Sequence, residues 1–196
     1  MIPYSLFWFT IATLFAILEV ENEGKFGWAE KTQTWFKSKK ELPRIVSFFM
    51  GEKPFTGYHL VLFPLVVLIT HAHFFMGVQW NIEEELKTIA LYLLWTPLWD
   101  YLWFVYNPFY SLKNLKAAWW YKEEYLLFGL FPKSNVIQWI LSIALVSISS
   151  LIFNKPELLL NQLGLVSLFI FYTLLSILCL APVYKKLYKQ IRNGNN

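Results

Sequence analysis

Asp100 stands inside LYLLWTPLWDYLWFVYNPFY (residues 91–110), a run that is otherwise apolar and aromatic. A carboxyl in such a place can act as an acid, a base or a cation ligand. An ionised one in hydrocarbon costs about 3 kcal/mol on insertion scales and more by other measures. It must therefore turn toward polar partners or hold a proton. Residues able to serve as those partners are few. Glu19 and Glu23 are four apart and share a helix face if the first apolar segment stays helical that far. His59 opens the second segment in GYH, and Asn107 lies seven residues beyond Asp100, on nearly the same face. Glu19, His59 and Asp100 form an acid–base set. Trp28, Trp103 and Asn107 are placed to contact a substrate. A divalent metal ion held by Glu19, Glu23, His59 and His71 is the cofactor this set would admit, and a haem or other pigment is a further possibility.

Two other polar groups need a place. His71 and His73, in THAHFF, point about 200° apart on a regular helix, so both cannot bind one ion from it. Glu83, Glu84 and Glu85 precede the third apolar segment, where a helix dipole favours acids, and read as a solvated cap. Pro97 removes one helical N–H three residues before Asp100 and predicts a kink near Leu93. Asp100 with that kink predicts a small wet pocket.

What positions these groups is lipid. Of 196 residues, 57% are hydrophobic and 15% charged, against about 25% charged in a soluble domain. Five segments reach the length a crossing needs, about 20 apolar residues: 3–20, 58–80, 86–107, 135–153 and 160–184. Their runs are continuous, not alternating, so the expected fold is an all-α, five-span integral membrane bundle in one domain covering 1–196. The first segment lacks a preceding Lys or Arg and a small-residue cleavage site, so it reads as a retained span.

Fifteen of 17 basic residues fall in the segment after span one, the segment after span three and the tail; Lys87 and Lys155 are the exceptions. With five crossings those three regions share one side, which predicts an outside N-terminus and a cytoplasmic C-terminus. A bacterial-type plasma (inner) membrane is the expected location. Segments 21–57 and 111–134, rich in Trp, Tyr and Lys, are expected to lie in the cytoplasmic interface. EGKFGWA is expected to fold back and present Trp28 to the bundle, and GEKPFTGYH to turn beside it. Ser142, Ser147, Ser149 and Ser150 are expected at close helix contacts.

Several classes of function drop out. Cys179 is the lone cysteine, so no internal disulfide or Cys-based metal motif exists. No G-x-S-x-G elbow, H-E-x-x-H or P-loop is present. Aromatic residues interleave the basic segments, so the expected partners are membrane lipids and a lipid-like substrate rather than nucleic acid. An oligomer or partner subunit is also possible. Two functions remain: an enzyme acting on a lipid-like or isoprenoid-like substrate by acid–base or metal-assisted chemistry, and a non-enzymatic transporter-like or accessory subunit of a membrane complex.

Overall fold

The computed structural model describes residues 1–37, 43, 55–112, 126–128 and 131–193. Helices dominate it. They are α1 (Ile2–Glu23), α2 (Gly57–Phe75), α3 (Ile82–Tyr106), α4 (Lys133–Ile152) and α5 (Pro156–Leu175). A π-helical turn, Ser176–Leu180, carries α5 directly into α6 (Ala181–Asn193). Two ladders of two residues per strand complete the described elements: β1 (Phe36–Lys37) with β2 (Phe55–Thr56), and β3 (Leu126–Leu127) with β4 (Phe131–Pro132). About half of the two segments expected in the interface, residues 38–42, 44–54, 113–125 and 129–130, lies outside the described residues.

Among the described residues, four helices are long and apolar enough to cross a membrane: α1, α2, α4 and the continuous Pro156–Arg192 rod. The expectation of five is met in part, because α3 is not among them. The reason is visible in its surroundings. Thirteen of its 25 residues are buried, against four of 19 on α2. A helix sheathed by protein need not be as apolar as one sheathed by lipid, and α3 carries Trp, Tyr, Thr and Asp100 where its neighbours carry Leu and Ile. The fifth expected span also differs in length: its rod runs through the π turn to Arg192.

Packing explains why α1 and α3 form the centre. Ala12 and Ala16 of α1 are fully buried in the core shared with α3, while Ser5, also fully buried, faces Tyr172 of α5 at 3.4 Å. Trp95 fills the space between α1 and α3, donating its Nε1–H to the Trp8 carbonyl at 2.8 Å. Trp8, Phe15 and Trp99 meet its ring at centroid separations of 5.5–6.0 Å, and Phe15 meets Trp99 at 5.2 Å. Matching levels set the directions. Trp8 meets Trp95 and Gly24 meets Asn107, so α1 and α3 run parallel. Asn135 reaches Pro97 and Ser142 reaches Ala90, so α4 runs opposite to α3. His59 lines the same cavity as Asp100 while His73 reaches Thr88, so α2 does too. Gln162 of α5 donates to Ser142 at 2.7 Å, turning the chain back again. The ends of α1 and α3, the starts of α2 and α4, and α6 therefore share one end of the bundle.

α3 passes through Pro97 as a single helix. Its Pro97 carbonyl accepts from Asn135 Nδ2 of α4 at 3.1 Å. Of the four serines, Ser142 alone bridges helices, donating to Ala90 O at 2.6 Å while accepting from Gln162. Ser147 and Ser149 bond back to their own helix, and Ser150 closes the turn at Lys155 O. The acidic cap does more than solvate. Asn81 caps α3 by accepting from Glu84 N, and Glu83 holds Lys155 at 2.6 Å. Lys87 pairs with Glu84, and Glu85 accepts from Trp80 and His71. Both basic residues at this end are thus neutralised locally.

Candidate functional site

The site grows from the chain reversal after α1. Gly24 caps the helix with φ 60, and its N–H reaches Val20 O. Gly27, Trp28 and Ala29 then follow with φ of 59, 48 and 53. Glycine adopts that left-handed form freely; a non-glycine residue pays about 1–2 kcal/mol. What holds the turn is Glu23, which accepts the Ala29 N–H at 2.6 Å. The turn is also tied to the end of α3. Asn107 Nδ2 donates to Gly24 O at 2.8 Å, and the Tyr110 hydroxyl donates to Lys25 O at 2.6 Å.

The turn presents Trp28 to the first turn of α2, where it stacks on His59. Thr56 is the N-cap of α2 and accepts the His59 N–H at 3.3 Å. The same hydroxyl lies 2.6 Å from His59 Nδ1. Since its oxygen already accepts from the backbone, its proton can go to Nδ1, an arrangement that suits the tautomer with hydrogen on Nε2. Next along the chain, Tyr58 donates its hydroxyl to Glu19 Oε1 at 3.1 Å. Gly57 lets Trp35 pack against the start of α2, because a Cβ there would lie 2.6 Å from Trp35 Nε1.

These groups border a cavity of about 710 Å³. α1 and its turn contribute Glu19, Glu23 and Trp28. α2 contributes His59, Leu62, Phe63 and Val66. The floor is α3, from Tyr92 and Leu93 through Thr96, Trp99 and Asp100 to Trp103 and Phe104. Ser134, Asn135 and Gln138 of α4 close the far side. From Tyr92 to Phe104 the floor extends about 18 Å. Its two ends differ: the carboxyls, His59 and Trp28 gather at the loop-bearing end, while Leu62, Phe63, Val66 and Leu93 lie toward the middle of the bundle. Glu19, Glu23 and Asp100 are close enough to feel one another's charge. Asp100 is exposed into this space rather than sealed in the core.

The structure thus brings Glu19, Glu23, His59, Asp100, Trp28 and Trp103 around one cavity. It places two predicted residues elsewhere. Asn107 is fully buried; besides Gly24 it serves Phe109 N, accepting at 3.0 Å. It braces two chain reversals because Pro108 ends α3 one residue later. His71 sits at the opposite end of α2, with Nδ1 at 2.7 Å from Val67 O and Nε2 at 3.2 Å from Glu85. Twelve helical residues, about 18 Å, separate it from His59. The proposed metal set of Glu19, Glu23, His59 and His71 does not assemble, and among the described residues no group of three or more His, Cys, Asp or Glu is placed to hold an ion. His73 pairs with Thr88 and Thr70 O, also at that end.

Sequence reasoning passed over Tyr58, Trp99, Asn135 and Gln138. Asn135 and Gln138 are three apart at the start of α4, the spacing of one helix face, and that signal was readable. Tyr58 was hidden by its place beside His59, since nothing in the sequence aims it at Glu19. A second cleft, about 820 Å³, opens at the other end of the bundle between α1, α2, α3, α4 and α5, with Thr70, His73, Glu84, Lys87 and Thr88 on its wall. Comparisons with protein-family models, with curated proteins and with solved structures find no match for this chain.

Proposed function

We propose that this integral membrane protein is an enzyme that works on a lipid-like substrate by acid–base chemistry, with Asp100, Glu19 and His59 as the reacting groups. The carrying observation is the gradient along one cavity: carboxyls and an imidazole at one end, an aliphatic and aromatic slot at the other. An amphiphile fits such a gradient with its head among the acids and its chain along Leu62, Val66 and Leu93. A volume of about 300–1,000 Å³ is usual for small-molecule sites. Glu23 positions rather than reacts, since its carboxylate is engaged by the Trp28 turn. Acyl chains of the bilayer meet the outward apolar faces of α1, α2, α4 and α5.

In this reading α3 crosses the bilayer as well, at about 37 Å of length. The N-terminus lies outside, the C-terminus in the cytoplasm, and the acidic end of the cavity faces the cytoplasmic leaflet of a bacterial-type plasma membrane. The ends of α1 and α3 and the start of α6, from which the three basic regions extend in the sequence, share one bundle end, which supports that orientation. Asp100→Asn tests the enzymatic reading: lipid profiles of cells expressing it should lose the change that the unaltered protein produces, while insertion and yield persist. Full retention of that change by Asp100→Asn defeats the reading.

The second reading, a transporter-like subunit that passes protons or a small solute, draws on the pair of clefts. They border adjacent turns, Val66 against Ile69 and Thr70 on α2, and Tyr92 against Leu91 on α3. Reconstituted vesicles would then show proton or solute flux that Asp100→Asn removes, with no lipid product.

A further inference from the structure

The second cleft, about 820 Å³ at the end of the bundle away from Asp100, has no part in the enzymatic reading. The chain around it is described throughout, including the turns at 76–81 and 153–155. Its polar groups form one belt. Gln162 of α5 donates to Ser142 of α4, which bonds Ala90 O; Thr88 and Lys87 stand on the adjoining turn of α3, with His73 of α2 against Thr88. One turn deeper the wall is apolar, with Trp8, Ile69, Leu91 and Leu165. The rim is exposed at Phe7, Met76 and Asn161, so the cleft can be entered from its surroundings.

Most of the belt is already engaged. Lys87 pairs with Glu84 and lies 3.9 Å from Glu83, which holds Lys155. Thr88 donates to Glu84 O at 2.8 Å, and His73 spans Thr88 and Thr70 O. The two carboxamides differ. Gln162 is 8% exposed. Ser142 gives its proton to Ala90 O, so the Gln162 atom that meets Ser142 at 2.7 Å is the amide nitrogen. That fixes the amide and leaves Oε1 as an acceptor with no hydrogen bond to a described residue. It is not sealed in protein either. An acceptor so placed on a side chain more than nine-tenths buried is uncommon, and it calls for a donor on whatever enters. Asn161, the next residue toward the rim, spends none of its amide on the described residues. Carboxamides recognise hydroxyls and amides. A charged head would have to break a closed ion pair, whereas a hydroxyl meets a waiting acceptor.

We infer that this cleft is a second binding site, for a neutral amphiphile with a hydroxylated head. One hydroxyl donates to Gln162 Oε1, another meets Asn161 at the rim, and the apolar part lies against Trp8, Leu91 and Leu165. The site stands apart from the acid-lined cavity and does not depend on the enzymatic reading.

The test uses the full chain in nanodiscs of phosphatidylcholine, a lipid without a hydroxyl or N–H donor. Tritiated dodecylglycerol is the probe, counted above its partition into empty discs. Its dimethyl ether, dodecanesulfonate and dodecyltrimethylammonium are the competitors. Dodecylglycerol should bind at least about tenfold tighter than each of the three, the loss expected when a buried acceptor stays unpaired. Gln162→Leu should weaken it about tenfold and shrink its advantage over the dimethyl ether to about twofold. Asp100→Asn, at the other cavity, should leave the affinity unchanged. Equal or tighter binding of the dimethyl ether or of either ion overturns the inference. So does a loss on Asp100→Asn with none on Gln162→Leu, which moves the binding to the acid-lined cavity. Thermal unfolding of each variant separates a lost site from a lost fold. If Gln162→Leu fails to fold, Asn161→Leu, at an exposed position, decides: a loss of about threefold or more supports the site, and unaltered affinity overturns it.

Discussion

Trp28 lies on His59 with ring centroids 4.4 Å apart and planes 26° from parallel. That one contact joins the reversal after α1 to the first turn of α2, two elements separated by 30 residues of chain. It holds the imidazole from one side while Thr56 holds Nδ1 from another. Neither residue is placed by its own helix alone. The contact depends on a left-handed turn that Glu23 stabilises, and this dependence can be measured.

Glu23→Ala removes the acceptor for the Ala29 N–H, leaving a buried donor unpaired and two left-handed non-glycine residues unsupported. The expected loss is about 1–3 kcal/mol, read from unfolding in a graded mild-to-harsh detergent series. Glu23→Gln keeps an acceptor oxygen and should lose less than half as much. Equal losses in the two variants would mean that the charge, not the hydrogen bond, holds the turn.

Gly57→Ala inverts an ordinary preference. Alanine is the better helix former by about 1 kcal/mol, so in an open helix the change stabilises. Here the added Cβ meets Trp35 Nε1 at 2.6 Å and Thr34 Oγ1 at 2.9 Å. Crowding of this kind costs about 1–3 kcal/mol, and the net effect should be destabilising. A rise in the unfolding midpoint would show that the segment carrying Trp35 yields without loss.

Ser142→Ala and Ser147→Ala form a matched pair. Ser142 joins three helices through Ala90 O and Gln162, whereas Ser147 bonds back to Ile143 O in its own helix. Interhelical hydrogen bonds in membranes average about 0.6 kcal/mol and reach about 1.7. The first variant should lose about 1–2 kcal/mol, since two bonds go, and the second almost nothing. Indistinguishable midpoints would remove Ser142 from the set of helix-joining residues.

The orientation is checked with single cysteines in a Cys179→Ser background. Gln79→Cys lies on the exposed turn between α2 and α3, and Lys186→Cys on the exposed side of α6. A membrane-impermeant maleimide added to intact cells should label the first and reach the second only after lysis. The opposite pattern would place the acidic end of the cavity against the outer leaflet.

Asp100, Glu19 and His59 were legible as candidates because acids and imidazoles are rare in this chain and costly at depth. Helical rise alone put Asp100 and Glu19 at one level, since α1 and α3 run parallel and rise equally per residue. Asn107 defeated the same logic. Its face was near enough to that of Asp100, but Pro108 ended the helix beside it, and the freed carbonyl of Gly24 claimed its amide. His71 was misplaced for another reason. Rotation about a helix says nothing of the 18 Å of rise that parts two residues on it, and at that level Glu85 is the neighbour.

Composition, the lengths of the apolar runs and the distribution of basic residues determine by themselves that this chain belongs in a membrane as a helical bundle. Those are properties of transfer from water to hydrocarbon, and they add up residue by residue along the chain. Which helix is wrapped by protein and not by lipid is a different matter. α3 holds that place because Trp95 seats against Trp8 and Phe15 of α1, and because Ser142 and Asn135 of α4 satisfy carbonyls of α3. Side-chain shape and hydrogen-bond direction act between segments far apart in sequence, so only the assembled tertiary structure could decide that Tyr58 meets Glu19, that Trp28 covers His59, and that Asp100 opens into a shared cavity.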